Sequence, residues 1–149
     1  MNFSVVSFKE YKDRLYPLFE QHWKEVAVYD ETIKLALDVD MYEILEDAGK
    51  FITIVAEENS IPVGYIIFIL ARHPHYVNNI VAQNDAVFLL PEYRAGKNAI
   101  NLFKFAEETL KNFNVDIIAT HVKPKVDFSR LLKFLGYEEQ EVVYTKRLD

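Results

Sequence analysis

The chain has 149 residues, 50% of them hydrophobic and 14% aromatic, with no cysteine and a net charge of −6. One domain, residues 1–149, with a filled core is expected, and disorder, disulfides, thiolate catalysis and cysteine zinc sites are excluded. A negative chain without a basic, aromatic-interleaved stripe does not fit duplex nucleic acid, and no window holds the ~20 apolar residues of a membrane span.

The first ten residues show no basic segment followed by an apolar run, so no signal peptide is expected and the cytoplasm is the expected location. Residues 3–8 alternate apolar and small polar side chains and predict a short strand. Residues 9–26 place Tyr11, Leu15, Leu18, Phe19, His22, Trp23 and Val26 at helical spacing, and Pro17 inside that pattern predicts a kink or a split. A second helix is expected to open at Asp30 and Glu31. Its apolar side would carry Ile33, Leu35, Ala36, Leu37, Met41, Ile44 and Leu45, and Gly49 would end it.

Residues 51–57 predict a strand, 58–60 a tight connection, and 61–72 a longer antiparallel partner. Gly64 in that partner predicts a bulge or a close backbone approach. Residues 77–83 lead into a strand at 85–90. The helix after Arg94 carries Ala99, Leu102, Phe103, Ala106, Leu110 and Phe113 on one side. A strand at 115–120, a short helix from 126 or 127 to Phe134 closed by Gly136, and a last strand at 141–148 complete the chain. The order β-α-α-β-β-β-α-β-α-β predicts a mixed α/β sheet in which the unit 85–120 is parallel.

Charge is unevenly placed. Residues 30–47 hold seven acids and one base, whereas residues 91–133 hold eight bases and five acids. Two poles of this kind fit two ligands of opposite sign, or two solvated helix faces. The basic pole overlaps residues 85–113, a short strand, a turn with Arg94, Gly96 and Lys97, and an amphipathic helix. A helix start leaves backbone N–H groups unpaired at the positive end of its dipole, so this turn is a candidate phosphate seat.

The stretch P-E-Y-R-A-G-K-N-A-I-N-L-F-K-F-A-E-E, residues 91–108, resembles the phosphate loop and helix of the GCN5-related N-acetyltransferase (GNAT) family. The family loop has the form Q/R-x-x-G-x-G/A. Arg94, Ala99 and the pair Ala106-Glu107 match it; Lys97 stands at the middle glycine and Gly96 one place earlier. This variant is similar to acetyltransferase-like proteins encoded by tailed bacteriophages, which would act in the host cytoplasm. The hairpin E-E-N-S-I-P-V-G-Y and the ending L-L-K-F-L-G-Y-E-E-Q-E-V-V-Y-T-K-R-L resemble the family's second and third strands and its closing helix and strand. The resemblance therefore covers nearly the whole chain.

The resemblance implies a GNAT-like fold and acetyl-CoA as co-substrate, without a metal. The strand ending in Phe88, Leu89 and Leu90 would splay from the next one and offer backbone groups to the pantetheine arm. Arg94, Ala95, Gly96, Lys97, Asn98 and Ala99 would carry the pyrophosphate, and Ser129 would touch the cofactor from the closing helix. An amine would attack the thioester directly, which needs a base, an oxyanion donor and an acid for the thiolate. In the family a tyrosine of the closing helix supplies that acid. Leu132 stands at its position here and has nothing to donate.

Candidate replacements are few. His121 follows a parallel strand, where open α/β sheets gather ligand groups, and histidine can move a proton near neutral pH. Asp85 could relay a proton, and Glu25 on the first helix could reach an acceptor amine. His121 and Asp85 also have structural alternatives, as a solvated or capping histidine and a strand-end turn acid. His73 and His75 flank Pro74 and lack a third ligand for a metal. Trp23 and Tyr144 read as packing residues. The acidic second helix would face a cationic small-molecule or protein amine, and a homodimer is compatible with the family. The competing reading is a non-catalytic binding or virion-associated domain, and a third is transfer of a longer acyl chain.

Overall fold

The computed structural model describes residues 1–29 and 32–148. Among the described residues, five strands form one sheet in the order β1-β2-β3-β4-β5. They are β1 (Asn2–Val6), β2 (Phe51–Glu58), β3 (Ile61–His73), β4 (Tyr76–Leu89) and β5 (Ile117–Ala119). Pairing is antiparallel from β1 to β4 and parallel between β4 and β5. The helices are α1 (Phe8–Val26), α2 (Val39–Asp47), α3 (Asn98–Asn112) and α4 (Ser129–Phe134). None of the helices among the described residues is long and apolar enough to cross a membrane.

Both faces of the sheet are covered, which is why β2 and β3 read as nearly continuous apolar runs. On one face, Phe8, Leu15 and Phe19 of α1 and Tyr42 of α2 pack on Val55, Tyr65, Ile67 and Phe88. On the other, Leu102, Phe103 and Leu110 of α3 and Leu132 of α4 pack on Ile54, Ile66 and Phe68. Neighbouring strand residues alternate between the two clusters, as the pleat requires.

Gly64 meets its expectation on both counts. The β2–β3 register shifts beside it, and a methyl group at Gly64 would lie 2.6 Å from the Phe88 carbonyl oxygen. Only hydrogen fits between β3 and the end of β4 there.

Four expectations need correction. Helix α1 is not split at Pro17 but continues from Phe8 to Val26. Leu15, Leu18 and Phe19 are buried on either side of the proline, while Asp13, whose carbonyl loses its N–H partner, is exposed to water. The second helix spans only Val39–Asp47, capped by Asp38, which accepts from the Met41 N–H at 2.9 Å. Asp30 and Glu31, its expected start, lie outside the described residues. Leu35 and Leu37 pack on the α1 cluster from a non-helical segment with alternating burial, a period of two where a helix was expected. The lead-in at 77–83 and the strand at 85–90 form one strand, β4, of 14 residues. Residues 141–148 form no strand, and Val142, Val143, Tyr144 and Leu148 are exposed.

The acidic segment has a structural task. Ser7, which precedes α1, makes no side-chain cap. Glu46 of α2 replaces it, accepting from the N–H groups of Phe8 at 2.5 Å and Lys9 at 3.3 Å. A carboxylate there answers both the unpaired donors and the dipole of α1. Glu43 pairs with Lys12 and Asp47 with Lys9, each at 2.7 Å. Three of the acids expected to face a cationic acceptor, Glu43, Glu46 and Asp47, are thus engaged in fastening α2 to α1.

Candidate functional site

The site grows from the place where β4 and β5 part. Their parallel pairing covers Val81–Ile117, Ala82–Ile118 and Gln83–Ala119, then stops. The next residue, Asn84, is buried, and its side chain takes over. Its Oδ1 accepts from the His121 N–H at 2.5 Å, and its Nδ2 donates to the His121 carbonyl at 3.2 Å. The two chains are thus held a side chain apart, where a strand pair would be only a backbone hydrogen bond apart. Asp85 is the extra residue of a bulge, since Ile67 pairs with Ala86 and Phe68 with Asn84.

Beyond the bulge the backbone has a fixed direction. The Leu90 N–H donates to the Val63 carbonyl of β3 at 2.9 Å. Antiparallel alternation then aims the backbone groups of Phe88 and Leu90 into the sheet and those of Val87 and Leu89 into the gap. The Leu89 carbonyl fits this, because it accepts from Arg94 Nε at 2.7 Å.

The turn after β4 is built by local bonds. Pro91–Tyr93 forms a 3-10 turn, and the Arg94 N–H returns to the Pro91 carbonyl. Gly96 has φ +71°, a left-handed conformation that favours glycine. Asn98 Nδ2 braces the Tyr93 carbonyl at 3.1 Å. The first helical bond of α3 runs from the Asn101 N–H to the Lys97 carbonyl at 2.8 Å, so the N–H groups just ahead of it have no helical partner. Ala95, Gly96 and Lys97 are exposed around them, and a methyl group at Gly96 would meet nothing within 4 Å. Open backbone donors at a helix start fit a phosphate group.

Arg94 does not stand free beside this seat. Its two terminal nitrogens donate to the two carboxylate oxygens of Glu25 at 2.6 and 2.7 Å. That bond holds the Glu25 carboxyl below the usual carboxylate range. The guanidinium also lies 5.5 Å from the centre of the Phe88 ring. His22, one turn before Glu25, stacks on Phe88 at 5.0 Å, and its Nδ1 shares a 2.7 Å hydrogen bond with the Tyr65 hydroxyl. Burial lowers the His22 pKa to about 4, opposed by Glu25 and assisted by Lys123 and Arg94. Burial likewise raises that of the Tyr65 hydroxyl. The end of α1 is also tied to the segment after β5, since Lys125 Nζ donates to the Ala27 carbonyl at 3.3 Å.

A cavity of about 390 Å³ opens on the α1–α2 face of the hairpin, lined by Asp85, His121, Gln83, Asn84, Arg72 and His73 among others. Asp85 accepts from the Tyr42 hydroxyl at 2.6 Å, and burial followed by this bond raises the Tyr42 pKa. The structure therefore brings His121 and Asp85 together on one cavity wall. Glu25 does not line it. Ser129 begins α4, its N–H on Asp127 Oδ1 at 2.8 Å. Leu132 is buried in the α3–α4 core. Trp23 is half-buried outside both core clusters, and Tyr144 is 91% exposed, so neither is the packing residue expected.

Asn84, Tyr42 and Tyr65 were not found from the sequence. For Asn84 there was a signal: Ile80, Ala82 and Asn84 share one face of the strand pattern, and an amide on a core face needs partners. The pairing of Tyr65 with His22 and of Tyr42 with Asp85 spans 43 residues in each case, and no local pattern reports it.

No family model matches the chain, and no curated protein matches it either. Solved structures do. A ribosomal-protein-alanine N-acetyltransferase from Brucella melitensis biovar Abortus 2308 superposes with a TM-score of 0.73 at 14% identity, covering 99% of this chain and 100% of the other. The aminoglycoside N-acetyltransferase AAC(6')-Iy in complex with CoA gives 0.70 at 18% identity, covering 99% of each chain. A predicted acetyltransferase from Clostridium acetobutylicum with acetyl-CoA gives 0.71 at 14%, covering 98% and 95%. The chain has the fold of these acetyltransferases.

Proposed function

We propose that this protein is an acetyl-CoA-dependent N-acetyltransferase of the GNAT family that acts on a primary amine. The observation that carries the reading is the gap between β4 and β5, stapled open by Asn84 and ending at the unpaired donors of α3. Backbone groups of Val87 and Leu89 would bind an extended arm along the gap. The donors of residues 96–99, with Lys97 and Arg94, would hold a pyrophosphate, and Arg94 would exchange one Glu25 oxygen for a phosphate oxygen. When bound, acetyl-CoA supplies the activated acyl group.

His121 and Asp85 line the cavity beside the gap and would keep the acceptor amine neutral for attack. A cationic acceptor is proposed through Asp85 instead of the α2 carboxylates. One solved neighbour, an aminoglycoside acetyltransferase from a soil metagenomic sample, is in complex with sisomicin, which supports a small-molecule amine. The loop variant supports a bacteriophage origin and action in the host cytoplasm.

A second reading rests on Leu132. Its burial in the core leaves no acid at the position where the family has a tyrosine, which favours a domain that binds CoA without catalysis. Titration calorimetry with acetyl-CoA, followed by thiol release against a panel of amines, separates the readings. Binding with thiol release is expected. Binding without release supports the second reading, and no binding contradicts both. Tighter binding of a longer acyl-CoA would indicate a longer acyl donor.

A further inference from the structure

The cavity of about 390 Å³ beside the gap carries opposite charges at its two ends. One end is the bulge of β4. Asp85 there is exposed, and its Oδ2 accepts from the Tyr42 hydroxyl at 2.6 Å. No cation pairs with this carboxylate among the described residues. The other end is the tip of the β3–β4 hairpin, where Arg72 lines the cavity. Arg72 is exposed, and its side chain has no hydrogen bond, ion pair or ring contact among the described residues. Asp116 accepts from the N–H of Ile80, the strand partner of Arg72, at 2.8 Å and forms no ion pair with the guanidinium. His73 adds a donor at the same end. Its Nδ1 accepts from the His75 N–H at 3.1 Å, which places the ring proton on Nε2.

The two charges are too far apart to satisfy each other. Arg72 pairs with Ile80, and Phe68 pairs with Asn84, the residue before the bulge. The stretch of β3 from Arg72 to Phe68 spans ~13 Å at ~3.3 Å per residue. At that spacing water and salt screen most of the attraction between exposed charges. The cavity therefore holds an anion and a cation, each without a counter-ion, one short molecule apart.

We infer that the acceptor is a small amino-acid-like zwitterion, with its amine at Asp85, its carboxylate at Arg72 and a short chain between them. The Asp85 oxygen not held by Tyr42 is open to the amine. A guanidinium answers a carboxylate with two parallel hydrogen bonds, and the His73 Nε2–H can add a third. A polyamine or an aminoglycoside would bring a second cation toward Arg72, and a simple alkylamine would leave Arg72 unpaired. The inference rests on the proposed acetyltransferase reading for the fate of the amine, and on the cavity alone for the binding.

Amide shifts of the ¹⁵N-labelled full chain, followed during titration with ε-aminocaproate, ε-aminocaproamide and hexamethylenediamine, test it. These three probes share chain length and amine and differ in the charge of the far end. The acid is expected to move the amides of Arg72, His73, Gln83 and Asp85. It should bind about tenfold more tightly than the amide, and the diamine should bind most weakly. Arg72→Gln should erase the preference, with an unchanged far-ultraviolet spectrum because the side chain has no partner to lose. Asp85→Asn should weaken all three probes. An amide or diamine that binds the parent as tightly as the acid overturns the inference. So does a preference that survives Arg72→Gln, or a titration that leaves the cavity amides unmoved. Thiol release from acetyl-CoA is read separately. The expected binding preference without release contradicts the acetyltransferase reading and upholds the zwitterion, whereas release with the diamine in preference to the acid overturns the zwitterion and upholds the reading.

Discussion

The two ends of α1 use the same chemistry for different ends. At its start, Glu46, Glu43 and Asp47 of α2 meet the first N–H groups, Lys12 and Lys9. At its finish, Glu25 meets Arg94 and His22 meets Tyr65. The first set joins two neighbouring helices away from the gap and fastens the fold. The second lies where β4 parts from β5 and reaches the turn before α3. There a carboxylate occupies a guanidinium that a phosphate could also take. A charge pair is read by what adjoins it, because in isolation the two sets look alike.

The largest effect on stability is expected at His22, at the finish of α1. Its folded pKa of about 4 lies below its ordinary 6.5, so the unfolded chain binds more protons between those values. Stability should be full above about pH 6.5 and fall progressively toward pH 4, with His22 contributing roughly 3 kcal/mol of the loss. Urea unfolding across that window should show a shallower pH slope in His22→Leu. Equal slopes in variant and parent would remove His22 from the account.

Asn84→Ala should cost about 2 kcal/mol, since it strands the His121 N–H and carbonyl, and acetyl-CoA affinity should fall with it. Urea midpoints and calorimetry read the two effects. Loss of stability without loss of affinity would separate the staple from the gap. At the other end of α1, Glu46→Ala should cost about 1 kcal/mol, the usual scale of a lost helix cap, and leave acetyl-CoA binding unchanged. An affinity change there would mean the two ends are coupled.

Glu25→Gln has the smallest expected effect on the fold. The pair is partly exposed, and such pairs contribute about 0–1 kcal/mol. Its informative readout is affinity, which should rise as Arg94 is released to a phosphate. Weaker binding would mean that Glu25 positions Arg94 for the ligand and does not compete with it.

The sequence made the local frame legible. Apolar runs marked β2 and β3, a helical stripe marked α3, and the strand–turn–helix order marked the turn with Gly96 and Lys97 ahead of it. It did not reveal what crosses the chain. Glu25 and Arg94 are 69 residues apart, and Asn84 and His121 are 37 apart. Periodicity reports which side of an element is buried, and it names no partner. The same limit explains residues 33–37 and 141–148. Leu35 and Leu37 pack on the core without a helix, and Val142–Tyr144 has strand character without a strand to pair with among the described residues.

The proposed function requires the gap and the start of α3 to form one cofactor site. Amide chemical shifts of the ¹⁵N-labelled full chain, followed during titration with CoA, test it most directly. The largest shifts are expected at Val87, Leu89 and residues 96–100, with smaller ones at Asn84 and His121. Saturation with those amides unmoved and the shifts gathered elsewhere would contradict it.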